Sequence, residues 1–330
     1  MRGITGRYFI KRVLFALLTL WVAITLDFLL PRLIKGDPAQ AIASTTALGS
    51  EQYVKLLRKQ FGLDNPSLLY QYKQFVTQLA HGNLGISYGS YPTPVYNLLR
   101  QSLPWTLLIV GLSVVLSFVF GWFLAMRTAL KNNKAFDRWT VSISFYLQAM
   151  PYYWIAMMLV MFLSLQINVF PLGHAFPAGG IGEMSKVKLI VEVLYHATLP
   201  VISLLLVSLA GRLLVMRNNI LQILSEDYMV LAEAKGLRRR RIRTRYAFRN
   251  ALLPSFTGLM LSLGNVVSGA ILTEIIFSYP GVGLTMYNGL LNHDYPVIQG
   301  TFLVVAISII IANLIADLCY PLIDPRVTLT

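Results

Sequence analysis

The sequence predicts an all-α integral membrane protein with about six transmembrane helices, and three observations carry that prediction. The 330 residues are 56% hydrophobic and 13% charged, with a mean hydropathy of +0.61; a soluble domain typically carries about 25% charged residues. The apolar residues are gathered into long runs. Several reach the roughly 20 residues that cross a bilayer core of about 30 Å as a helix. Finally, Lys and Arg crowd into alternate connecting segments, the pattern that orients a multi-spanning chain.

The first span is expected over 9–30. Arg2, Arg7, Lys11 and Arg12 precede an apolar run from Val13 to Leu30. A basic cluster before an apolar run also opens a secretory leader. The length of this run, the interruption at Asp27 and the lack of an evident small-residue cleavage site favour a retained helix, so 1–30 is read as an N-terminal segment plus first span. Residues 31–101 are long, polar and rich in turn formers, with Pro38, Pro66, Pro92 and Pro94, and read as a small extramembrane subdomain. Within it Ser67 is placed to cap a helix whose Leu68, Tyr72, Phe75, Val76 and Leu79 share one face.

Five further spans follow over 102–126, 138–164, 196–216, 253–278 and 297–320. They make a core of 102–320, ahead of a short tail at 321–330. Pro104, Pro151 and Pro200 fall in or near these spans, as first-turn residues or kinks. Tyr146, Tyr152, Tyr153 and Trp154 are expected to pack within the third helix. Segment 165–195 is a polar loop with the turn signal Pro177-Ala178-Gly179-Gly180. Gly258, Ser262, Gly264, Ser268 and Gly269 punctuate the fifth helix, where small residues either allow close packing or leave room for a pathway.

The formal net charge is +14. In a soluble chain that would suggest a nucleic-acid partner. Here the basic residues sit at the N-terminus, in the loop after the second helix (Arg127, Lys131, Lys134, Arg138) and above all after the fourth, from Arg217 to Arg249. All three segments fall on one side of a six-helix alternation. That side is cytoplasmic by the positive-inside rule, which places both termini and the loop 217–252 inside and 31–101 outside. Arg32, Lys35, Lys55, Arg58, Lys59, Lys73 and Arg100 run against that assignment, but the rule weakens for long loops. The basic balance therefore points to cytoplasmic loops and anionic lipid, with no nucleic acid.

The loop from Ser225 to Arg245 is the most distinctive segment. Ser225 is a plausible N-cap, with Glu226 and Asp227 in the first turn, where acids suit the helix dipole. Leu231, Ala232, Glu233 and Ala234 favour helix, and Gly236 ends it. A second helical stretch carries the arginines back to the membrane. Two readings stand: a lipid-facing polybasic loop, or a docking surface for a cytoplasmic partner.

Ala232, Gly236 and Asn250-Ala251-Leu252-Leu253-Pro254 resemble the coupling loop of ABC importer permeases, in the longer form of the peptide/nickel group. Val230 stands where the general importer motif opens with glutamate. The resemblance extends to Leu30-Pro31-Arg32-Leu33-Ile34-Lys35-Gly36-Asp37-Pro38, to Phe61-Gly62-Leu63-Asp64 and to Gly82-Asn83-Leu84-Gly85. It continues in Glu274-Ile275-Ile276-Phe277-Ser278-Tyr279-Pro280-Gly281-Val282-Gly283 and in Asp294-Tyr295-Pro296-Val297-Ile298-Gln299-Gly300. It implies the type I importer permease fold of a first-permease (B-type) member, in the cell membrane of a prokaryote, with an extracytoplasmic insertion after the first helix. It implies as partners a second homologous permease, two cytoplasmic ATPase subunits and an extracytoplasmic substrate-binding protein. Asp227, Tyr228, Ala232, Glu233, Ala234, Lys235, Gly236, Leu237 and Arg241 would then couple the ATPases to the membrane helices.

No Gly-Lys dipeptide occurs, so the phosphate-cradling loop is missing, and ATP and Mg would be bound by the partners rather than by this chain. His81, His174, His196 and His293 are widely spaced, no His-Glu-x-x-His occurs, and Cys319 stands alone. No catalytic residue, cofactor or metal site is expected. Asp27, Arg212, Glu274 and Asp317 fall within or near spans, where charges usually face the bundle or water. Glu274 and Ser268 are the pathway candidates. For Glu274 the other reading is a structural partner for an arginine or for backbone. The function class that follows is an ATP-driven importer subunit for di- or oligopeptides, or for a related solute such as oligosaccharides or nickel. The alternative is a partner-independent channel or ion-coupled secondary transporter, a class often marked by inverted repeats that are not evident here.

Overall fold

The computed structural model describes residues 6–33, 51–60, 67–130, 134–177, 185–238, 241–248, 250–251, 255–256, 258–259, 262 and 270–323. Among them the regular structure is helical, joined by turns and loops, apart from one isolated antiparallel bridge between Ile86 and Pro94. Helix α1 spans Gly6–Leu33, α2 Glu51–Gln60, α3 Leu68–Ala80 and α4 Val95–Leu130. Then come α5 (Ala135–Ala149), α6 (Tyr152–Leu159, continued by a π-helical turn Val160–Gln166), α7 (Lys186–Leu224) and α8 (Asp227–Ala234).

 A second π-helical turn, Ile242–Phe248, follows, and the chain ends in α9 (Ile271–Ile276), α10 (Val282–Leu291) and α11 (Tyr295–Ile323).

Four helices are long and apolar enough to cross a membrane: α1, α4, α7 and α11. A fifth crossing is made if the bent pair α5–α6 counts as one span. Of the expected fifth helix, 253–278, residues 255–256, 258–259 and 262 are helical, 271–276 form α9, and 253–254, 257, 260–261 and 263–269 lie outside the described residues. The spans exceed their expected limits because hydropathy marks only the part inside the bilayer. At about 1.5 Å per residue, α4 and α7 are each more than 50 Å long, well beyond a core of about 30 Å.

The third span differs from expectation. Instead of one helix over 138–164, the chain bends by 96° between α5 and α6. Pro151 causes this. The residue before a proline is pushed out of the α region, and Met150 is extended, with φ −80° and ψ 133°. Pro151 then occupies the N-cap position of α6. Of the expected aromatic cluster, Tyr152 packs on the core and meets the Tyr153 ring at 6.2 Å, whereas Tyr146, Tyr153 and Trp154 are 65%, 40% and 47% exposed on this chain.

The core is the contact of α4 with α7, flanked by α5, α6 and α9. It is built on small residues. Ser113, Ser117, Gly121, Ala125 and Thr128 of α4 are buried, as are Ala197, Ser203 and Ala210 of α7. A Cβ at Gly121 would lie 3.4 Å from the Cβ of Arg212, so the two backbones approach closely. Helix α1 packs at the side, against α11. Arg12 pairs with Asp317 at 3.0 Å, the Tyr8 hydroxyl donates to the Asp317 carbonyl, and the Gln299 amide donates to the Asp27 carbonyl. Ser67 caps α3 as expected, accepting from the Tyr70 N–H.

Candidate functional site

Two constructions stand out, one at each end of the α4–α7 core. The first lies at the end that carries the basic loops. Helix α7 stops at Leu224, where the Ser225 N–H donates to the Gln222 carbonyl at 3.1 Å. Ser225 therefore caps the end of α7 and does not begin the next helix, as the sequence suggested; Glu226 takes the N-cap position of α8. The far end of α8 closes on a Schellman motif. The Gly236 N–H donates to the Glu233 carbonyl at 2.9 Å and the Leu237 N–H to the Ala232 carbonyl at 3.3 Å. Gly236 has φ +65°, and no atom lies within 4 Å of the place a Cβ would take. Conformation, not space, calls for glycine there.

One side of α8 is fixed. Met229 and Ala232 are buried with Ile242 and Ala247 of the second π-helical turn, and Ile223, Leu224, Leu237 and Tyr246 pack around them. Asn250 donates to the Tyr228 hydroxyl at 3.2 Å. Next to it, Ala251 is buried against Ala125 and Ala129 of α4 and Met216 and Ile220 of α7. Arg217 binds Asp137 through two parallel bonds of 2.7 Å, tying α7 to the start of α5. The elbow is thus fastened to the inner ends of three membrane helices.

The other side is open. Asp227, Tyr228, Glu233, Ala234, Lys235, Gly236 and Arg241 are exposed, while Ala232 and Leu237 belong to the anchoring side. The elbow brings all nine predicted coupling residues together. It also shows two that sequence reasoning passed over: Val230 and Leu231, 63% and 55% exposed. Their signal was legible as apolar residues out of phase with Met229 and Ala232 in an otherwise charged loop. Exposed apolar side chains on a polar loop mark a docking face.

The second construction is an outer cap built on two buried carboxylates. Glu274, fully buried, accepts from Thr106 of α4 at 2.6 Å and from the Gly283 and Leu284 N–H groups of α10 at 2.7 and 3.1 Å. It sits at the N-terminus of α10, where a helix favours negative charge. Thr106 also accepts from the Val282 N–H at 2.9 Å. A Cβ at Gly281 would fall 2.2 Å from the Glu274 carboxyl carbon, so only glycine lets the carboxylate reach its donors. Asp294, also buried, accepts from the Ser87 hydroxyl, from the Gly89 N–H at 2.9 Å and from the Val297 N–H at 3.4 Å.

Glu274 is thus placed as a brace between Thr106 and the backbone at the start of α10. Its oxygens are engaged by its own chain. Ser268, the other pathway candidate, lies outside the described residues. Ser87 stands in Gly85-Ile86-Ser87-Tyr88-Gly89, which has the spacing of a nucleophile elbow. Such an elbow joins a strand to a helix and presents its serine to a base. Here Ser87 is buried in a loop and donates to Asp294, so it serves as a brace.

Two family models match the chain. "Binding-protein-dependent transport system inner membrane component" covers residues 117–329, and its N-terminal companion covers 5–120. The chain is 34% identical over 338 residues to the dipeptide transport system permease protein of Escherichia coli K12, covering 97% of this chain and 98% of that protein. It is 32% identical over 332 residues to the di/tripeptide transport system permease protein of Pseudomonas aeruginosa, with coverage of 97% and 98%. It is 29% identical over 322 residues to the oligopeptide transport system permease protein of Bacillus subtilis, again with coverage of 97% and 98%. With its apolar spans, its small-residue core and its basic elbow, the chain belongs to the family of binding-protein-dependent transport system inner membrane components, as an ABC importer permease subunit.

Proposed function

We propose that this chain forms half of a membrane channel that moves di- or oligopeptides inward, driven by ATP hydrolysis in partner subunits. The observation that carries the reading is the two-sided elbow. Its inner side is packed onto α7 and tied to α4 and α5, and its outer side presents Tyr228, Val230 and Leu231 among charged residues. A part built this way transmits displacement. A motor subunit gripping the exposed side moves α7 with it, because packed elements shift between discrete arrangements and do not deform continuously.

Around the chain we place a second homologous permease, two cytoplasmic ATPases that hold ATP and Mg, and an extracytoplasmic binding protein that selects the solute. Both termini and the elbow lie in the cytoplasm, and the outer cap faces the binding protein. The printed names of the relatives support peptides over the oligosaccharides and nickel carried by other members of the peptide/nickel group.

The test replaces Val230 and Leu231 together by aspartate in the full complex. Membrane insertion is expected to persist, while co-purification of the ATPases and peptide uptake fall at least tenfold. Unchanged assembly and uptake would overturn the reading. So would peptide flux driven by a proton or sodium gradient in vesicles that hold this chain and no ATPase, the behaviour of a secondary transporter.

A further inference from the structure

Arg212 is a charge in the apolar part of α7 that neither the elbow nor the cap uses. It lies five residues outward of Arg217, about 7 Å deeper along the helix. Helical side chains lean toward the helix N-terminus. In α7 that is the outer end, so Arg212 leans away from the cytoplasm and not back toward it. Its base rests on Gly121 of α4, and its Nε is buried with no acceptor.

Among the described residues no ion pair joins Arg212 to a carboxylate. Asp137 is held by Arg217, and Asp317 by Arg12. Glu274 is committed to the outer cap. Residues 235–273, which hold most of the fifth span, contain no Asp or Glu. An unpaired guanidinium at this depth faces the bundle interior or water, since exposure to hydrocarbon costs several kcal/mol.

Two observations describe its surroundings. On the same face of α7, Ser208, Val215 and Asn219 are partly or fully exposed, so this face of the helix is left uncovered by the chain itself from above Arg212 down to the elbow. Beside it, the Gln148 amide nitrogen lies 3.5 Å from the Cβ position of Gly211, at the last turn of α5 before the 96° bend. Broken helices at membrane depth are tolerated where they are buried in protein or line a water-filled cavity.

We infer that Arg212 is a carboxylate-accepting station on the translocation route, which takes the C-terminal carboxylate of a passing peptide. The inference rests on the peptide-importer reading above. A guanidinium fork matches a carboxylate through two parallel N–H···O bonds, and this chain presents no anion of its own there to compete. The station gives the peptide a charged foothold between the outer cap and the cytoplasm.

The test uses the whole complex with its binding protein in proteoliposomes, with dialanine and its C-terminal amide as probes. Each is supplied at equal, measured occupancy of the binding protein. The wild-type complex is expected to carry the free acid at least tenfold faster than the amide. Arg212→Gln is expected to erase that preference by slowing the acid, and Arg212→Lys to keep most of it. Equal uptake of acid and amide by the wild type overturns the inference, whatever the variants do. So does an Arg212→Gln complex that assembles and retains the preference. If Arg212→Gln fails to assemble while the wild type treats the probes alike, the arginine pairs with the second permease instead. Absence of wild-type uptake of either probe would count against peptides as cargo, a different failure.

Discussion

Gly236 shows how one residue can set the end of a functional element. Its φ of +65° is disfavoured for residues with a Cβ, and the space around it is empty. Gly236→Ala should therefore cost about 1 kcal/mol by conformation alone, and Gly236→Asn less, because asparagine tolerates the left-handed region. The expected readout is faster hydrogen exchange at the Gly236 and Leu237 amides, larger for alanine than for asparagine. Glu274 sets the outer cap in a similar way. Glu274→Ala strands the Gly283 and Leu284 N–H groups in a buried place, at about 1–3 kcal/mol for each unsatisfied group. Glu274→Gln keeps one acceptor oxygen and should lose less. Thermal unfolding of the purified chain in detergent should rank wild type above Gln above Ala.

The elements were legible where one physical signal dominates. Apolar length announced α1, α4, α7 and α11, and the Ser67 cap announced α3. What hydropathy missed were features that do not change it. The bend at Met150–Pro151 sits inside a continuous apolar run, so composition alone joined α5 to α6. The switch of Ser225 from opening α8 to closing α7 depends on where α7 ends, and α7 outruns its apolar stretch. The residues proposed for coupling could be named as a group because they lie close in sequence, in a loop that resembles that of a known family. The outer cap was not, because Ser87 and Asp294, or Thr106 and Glu274, meet only after folding. One tie between elements invites measurement. Asp137 and Arg217 have side chains 3% and 15% exposed, and breaking a buried pair leaves an uncompensated charge. Asp137→Asn is expected to destabilise by about 3 kcal/mol. The double substitution with Arg217→Gln should recover part of that loss in a double-mutant cycle read by thermal unfolding.

At the scale of the whole molecule, orientation is the claim most open to direct measurement. With Cys319 replaced by serine, a cysteine at Lys235 should react with a membrane-impermeant maleimide only after the cells are permeabilised. A cysteine at Asn83 should react in intact spheroplasts. The reverse pattern would invert the assignment made from the basic loops.

The two buried carboxylates of the outer cap have a mechanical consequence. Through Glu274 and Asp294, the segment 87–89, the outer part of α4, and helices α9, α10 and α11 are held together by short hydrogen bonds and glycine-close contacts. Ties of this kind make one body of them, so in the proposed pair of permeases an opening toward the outside would form along the edge where two such bodies meet, without loss of the bonds inside either.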